Sequence, residues 1–215
     1  MKAHIHAPRR PEMSGFTLVE VIVVLGVILM LAGIAVPMIS SYVDDGKRAR
    51  AEAEVKMLGA ALTSVYKDVG VFATRGRNGS NGTLYALFSG PTMPTSNPFA
   101  ANHSFSNWAR HATRGDLMDH HLLENAPGGQ TSAAYDTSGS TQWRGPYVAG
   151  STPLDPWGRP YVASVIGSWY SHATRYKRMY VLSAGPNGRI DTDRDSTATT
   201  EIAGDDIGMI LSQQK

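Results

Sequence analysis

Three groups of residues have types and spacings that suit chemistry. Glu20 is the lone acid in an apolar run, FTLVEVIVVLGVILMLAGIAV from Phe16 to Val36. A carboxylate in hydrocarbon costs about 2.5–3.5 kcal/mol, so an acid kept there is near the interface, neutralised, or present for a partner. Asp119, His120, His121 and Glu124 are residue types that can share one metal ion. Asp191, Asp193, Asp195, Glu201, Asp205 and Asp206 follow a Gly- and Asn-containing turn, where clustered acids are often only solvated, although carboxylate, amide and carbonyl oxygens also suit a hard cation that takes about six to eight of them.

The histidine group reads more simply as a solvated helix surface, because adjacent histidines point to different faces and Asp119 and Glu124 are not at helical spacing. The stretch DTDRDSTATTE opens like an EF-hand loop, yet it has no glycine at the required place and sets Glu201 one position early, which argues against an EF-hand. No Ser/His/Asp set has a local signature and no glycine-rich phosphate loop is present, so the sequence does not read as an enzyme. Cysteine is absent, which excludes disulfides, thiol nucleophiles and thiolate metal sites. With a net charge of +2 and no basic run interleaved with aromatics, no nucleic-acid partner is expected.

The elements that must position these residues can be read in order. The apolar run, at about 1.5 Å per residue, matches the roughly 30 Å hydrocarbon core of a bilayer. Lys2, Arg9 and Arg10 precede it, while Asp44 and Asp45 follow it before the first Lys, so the positive-inside rule keeps residues 1–15 cytoplasmic and exports the rest. A secretory signal peptide also has a basic start and an apolar stretch, and Ala32 and Ala35 could mimic its cleavage site. The length of this run, its internal acid and its continuation into a helical pattern favour a retained membrane helix. Pro37 should kink or locally melt that helix. Beyond it, Val55, Leu58, Leu62, Val65, Tyr66 and Val69 predict an amphipathic helix from about Tyr42 to Val69 that Gly70 ends.

Residues 73–107, rich in Gly, Ser, Asn and Pro, read as loop, and a short helix is expected within 108–126. Val162 to Ile166 and Arg178 to Leu182 predict a hairpin; a third strand is expected after Asn187-Gly188, and Ile207 to Leu211 should close the sheet. The Trp and Tyr residues of WRGPY and DPWGRPY are expected between sheet and helix. The fold class is therefore α+β: a long N-terminal helix, half membrane and half amphipathic, on a small antiparallel sheet.

Gly15-Phe16-Thr17-Leu18-Val19-Glu20, after a short basic leader and before a long apolar helix, resembles the processing motif of type IV pilin-like prepilins. WRGPY, DPWGRPY, SAGPNG and GDDI, in that order, resemble the C-terminal blocks of the G-type major pseudopilin of type II secretion. The resemblance implies cleavage after Gly15 by a prepilin peptidase, N-methylation of Phe16, and a role for Glu20 in subunit registration. It implies calcium in the final loop, with side-chain ligands at Asn187, Asp205 and Asp206 and carbonyls of Ala184 and Arg189. Asn187 stands where that family usually has Asp, removing one negative charge, and the insertion with Asp191, Asp193 and Asp195 separates the two ligand clusters.

The implied organisation is a leader at 1–15, an assembly helix at 16–39, its amphipathic half at 40–72, a variable segment at 73–140 longer than that family's middle, and the sheet and calcium loop at 141–215. The implied function is that of an inner-membrane precursor that becomes a periplasmic pseudopilus subunit, polymerising with itself and other pseudopilins on the inner-membrane secretion platform and helping export folded proteins. A type IV pilus subunit is the neighbouring reading. From a different class comes a membrane-anchored periplasmic enzyme or calcium-binding module, which would need neither Gly15 nor Glu20.

Overall fold

The computed structural model describes residues 15–100, 113–170, 175, 177–193, 197 and 201–213. Lys2, Arg9 and Arg10 of the leader, Asp195 and the onset of the helix expected from about residue 108 lie outside them. The chain divides into two compact units, Met1–Asp44 and Asp45–Lys215.

Helix α1, Leu18–Val69, contributes to both. In the first unit its described side chains are all exposed, apolar ones such as Leu18, Leu25 and Ile28 included. This stretch is long and apolar enough to cross a membrane, with a mean hydropathy of 2.8. Helical structure continues through Pro37, so the local melting expected there is absent. Proline removes one amide donor, and the hydrogen bonds of the turns on either side keep the helix intact.

In the second unit α1 buries Ala51, Val55, Leu58, Leu62 and Val65, one face at the expected three- and four-residue spacing. Tyr66, expected on that face, lies instead on the surface and stacks on Phe72 with ring centroids 4.4 Å apart. The helix ends as expected, with Gly70 at φ +80° and its N–H donating to the Tyr66 carbonyl, a left-handed terminus that a Cβ would strain.

The sheet contains β1 (Ala86–Phe88), β2 (Gly115–Leu117), β3 (Val162–Ser164), β4 (Arg178–Ser183) and β5 (Ile207–Gln213), in the order β2-β1-β3-β4-β5. Its pairs are antiparallel except β1 with β2. The two-residue period of a strand divides the core. Leu87, Ala163 and Val181 pack with the α1 residues, whereas Phe88, Val162, Tyr180 and Leu182 pack with Phe99 and Ile190. Helix α2 (Met118–Leu122) follows β2 directly and adds Met118 and Leu122 to the α1 side.

Two expectations need correction, and one strand was not anticipated. β1 lies inside the stretch read as loop, whereas β2 directly precedes the short helix expected within 108–126, which forms at Met118–Leu122. Each strand is three residues long, too short for alternation to register, and each is held by its neighbours in the sheet. No strand forms among the described residues between Asn187 and Asp206; β4 pairs directly with β5 and the chain between them is loop. The aromatic expectation holds for Tyr161, which is fully buried and donates its hydroxyl to Glu54 Oε2 on α1 at 2.6 Å; Trp157 and Tyr147 pack partly buried against the same core.

Candidate functional site

At the N-terminus Thr17 and Glu20 form a reciprocal cap. The Thr17 N–H and Oγ1–H both donate to Glu20 Oε2 at 2.9 Å, and the Glu20 N–H donates to Thr17 Oγ1 at 3.2 Å. This is a capping box, in which a Thr at the helix start and a Glu three residues on satisfy otherwise orphan donors. It fixes the first turn of α1 immediately after Gly15-Phe16. Glu20 Oε1 takes no part in the cap and Glu20 is exposed, so that oxygen remains open to a cation.

The loop after β4 closes on itself. The Asn187 N–H donates to Asp205 Oδ2 at 2.9 Å and its Nδ2 to Asp191 Oδ2 at 3.0 Å, while its Oδ1 accepts from the Arg189 N–H. The Thr192 N–H donates to Asp206 Oδ2 at 2.6 Å. Gly185 at φ +59° lets the arms meet, since a Cβ there would lie 2.1 Å from the Asp205 carbonyl oxygen. The DPWGRPY block fastens this loop to the sheet. Asp155 accepts from the Trp157 and Arg159 amides and from Ser183 Oγ, and Arg159 donates to the Gly185 carbonyl.

Asn187, Asp205 and Asp206, with Ala184 and Arg189, thus belong to one loop, and Asp191 of the insertion joins it. Oδ1 of Asp205 and Oδ1 of Asp206 are buried without a hydrogen-bond partner among the described residues. Burial, opposed by hydrogen bonds from Thr192 and reinforced by the Asp191 charge, pushes the Asp206 carboxyl up to about 6. Two orphaned acidic oxygens on adjacent residues fit the donor chemistry of a hard cation. Among the described residues no three acidic or histidine side chains gather closely enough to hold an ion, so amide and carbonyl oxygens would have to complete the shell.

The histidine group is not the solvated helix surface expected from sequence. His121 is fully buried, Asp119 is buried, and only Glu124 is exposed. Their hub is Asp116 on β2. Its Oδ1 is 2.6 Å from His120 Nδ1 and accepts the Leu117 N–H; its Oδ2 is 3.0 Å from His121 Nε2 and accepts the Gly128 N–H at 2.6 Å. His121 Nδ1 meets the Tyr135 hydroxyl at 2.8 Å. Asp119 turns elsewhere, accepting from Ser151 Oγ and the Thr152 N–H. Burial alone would raise the Asp116 carboxyl, but the hydrogen bonds from His120 and His121 outweigh it and hold the group well below the usual carboxylate range. The hydrogen bond to Asp116 raises His120.

The family model described as type II secretion system, protein G, matches residues 123–201, which include WRGPY, DPWGRPY and SAGPNG. The type II secretion system core protein G of Escherichia coli (strain K12) is 25% identical over 186 residues, 86% of this chain and 90% of the relative. The protein of the same name from Pseudomonas aeruginosa is 39% identical over 59 residues, 27% of this chain and 41% of the relative. Over these stretches the chain is similar to the core protein G of type II secretion systems. No solved structure matches at the stringency these relatives meet.

The family match ends at residue 201, before Asp205 and Asp206, and begins at 123, after the Asp116 hub. Sequence reading missed two residues, Thr17 and Asp116. Thr17 was legible, because Thr-Leu-Val-Glu is the spacing of a capping box. Asp191 was named with the insertion, but only the fold brings it to Asn187. Asp116 offered only its four-residue spacing to His120, which carries meaning only once that stretch is known to be ordered.

Proposed function

We propose that this chain is a type II secretion pseudopilin, made as an inner-membrane precursor with residues 1–15 cytoplasmic and its second unit periplasmic. A prepilin peptidase cuts it after Gly15, Phe16 is N-methylated, and the chain polymerises with its own copies and other pseudopilins into a type II secretion pseudopilus that moves folded proteins outward. The observation that carries this reading is the bare apolar surface of α1 from Leu18 to Val43, whose large side chains are about half to three-quarters exposed. In water such a surface is untenable; in a bilayer, or against identical helices in a filament core, it is covered.

The cap at Glu20 supports the same reading. One carboxylate oxygen is held by Thr17, which sets the side chain, and the other is left for the new N-terminal ammonium of a neighbouring Phe16. Pairing removes the penalty of a charge in an apolar bundle. In the final loop, Asn187, Asp205 and Asp206 with the Ala184 and Arg189 carbonyls would hold calcium. When bound, calcium supplies positive charge to the orphaned Asp205 and Asp206 oxygens and ties the two ends of the loop together.

The test is co-expression with a prepilin peptidase and the secretion platform. Gly15→Ala should accumulate at precursor size, and Glu20→Ala should be cut but enter filaments poorly. Full assembly by Glu20→Ala, or an unchanged size for wild type and Gly15→Ala alike, would contradict the reading.

A further inference from the structure

The enlarged middle segment builds a cleft that the filament reading does not use. It has a volume of about 610 Å³ and is bounded by the turn around Arg77, the start of β2 and the turn at Gly128. Arg77, Arg114, Asp116 and His120 are its charged lining, with Leu84 and Met93 as apolar wall. All three basic residues precede residue 123, where the family match begins.

The charges do not cancel. Asp116 lines the cleft, yet both of its oxygens already accept two donors each. Arg77 and Arg114 form no ion pair and donate no hydrogen bond among the described residues; Arg114 only stacks over the Tyr85 ring at 4.9 Å. Nearby Arg75 shows the contrast, since its guanidinium donates to the Ala134 carbonyl and lies over Tyr135. His120 gives Nδ1 to Asp116 and leaves Nε2 without a partner among the described residues. A protonated His120 offsets the Asp116 charge, so two uncompensated guanidinium charges remain. That balance suits a dianion better than a single carboxylate, and a cleft with a net excess of one sign of charge concentrates its counter-ion.

We propose that this cleft binds a small dianionic oxyanion of the sulfate or phosphate class, with Arg77, Arg114 and Nε2 of His120 as its donors. The carboxylates facing His120, Asp116, Asp119 and Glu124, all favour its protonated form. Binding should therefore weaken as pH rises and the Nε2 donor is lost. Charge-assisted bonds of this kind, Arg to oxyanion, are the stronger class of hydrogen bond.

The experiment is a titration of the full chain in non-ionic detergent with sodium sulfate, whose charge is constant across the range used. Heat and the His120 ring proton resonances are followed at about pH 6 and about pH 8. The expected result is saturable binding with a shifted His120 resonance, weaker at the higher pH. Affinity should fall about tenfold, or about 1.4 kcal/mol, in Arg77→Gln and in Arg114→Gln, and the pH dependence should vanish in His120→Gln. Phosphate should compete with sulfate. Absence of saturable binding at about pH 6, or equal affinity in wild type and Arg77→Gln, overturns the proposal. Arg77 is exposed and makes no bond among the described residues, so that variant is expected to fold even if Arg114→Gln does not.

Discussion

Asp116 gathers His120, His121 and the Leu117 and Gly128 amides on one buried carboxylate. Removing its charge leaves His121 and the Gly128 amide buried against a poorer acceptor. Asp116→Asn is therefore expected to cost about 3 kcal/mol, measured by urea unfolding of the detergent-solubilised chain. The pH dependence follows from the directions of the two shifts. The lowered Asp116 carboxyl contributes stability that is present above its unfolded pKa of about 3.9 and is lost as pH falls through the lower folded value. The raised His120 imidazole contributes stability that is complete below about 6.5 and is lost as pH rises through its folded value. Melting temperature against pH should thus show a plateau between two falling limbs, and His120→Gln should abolish the alkaline one while shrinking the acid one, since Asp116 then loses one of its two imidazole partners. At this scale Glu20 was legible because an acid among apolar residues is conspicuous in any register. Asp116 was not, because its partners are defined by burial that no local pattern announces.

Between residues and the whole lies the packing of α1 on the sheet and the closure of the loop after β4. Leu62 is fully buried among Leu87, Val181 and the other α1-side residues, so Leu62→Ala should cost about 2–5 kcal/mol in the same unfolding assay while leaving N-terminal processing unchanged. Gly185→Ala places a Cβ against the Asp205 carbonyl and should open the loop, abolishing any calcium-dependent stabilisation. For the wild type, free calcium at a hundred times its dissociation constant should stabilise the chain by about 2.7 kcal/mol, read as a drop in melting temperature on chelation. No change on chelation would remove calcium from the account. The long helix and β4 were legible because their patterns run over many residues, and β3, itself only three residues, was legible from the longer stretch Val162 to Ile166 that contains it. β1 and β2 were not, because each is three residues long and owes its conformation to the strands beside it. The loop blocks DPWGRPY and SAGPNG read as turns, and their shared purpose, Asp155 and Arg159 clamping Gly185, appears only in three dimensions.

The whole molecule combines an apolar helical stretch with no described covering and a second unit, Asp45–Lys215, with its own core. Under the proposed function such a chain is a subunit covered first by a bilayer and then by its neighbours, and the event that releases it from one to the other is the cut after Gly15. The most direct measurement is the intact mass of the chain purified from membranes in which a prepilin peptidase is active. The account predicts a mass lacking residues 1–15 and carrying one added methyl group on Phe16. An uncut chain, or one cut beyond Ala35, would contradict it.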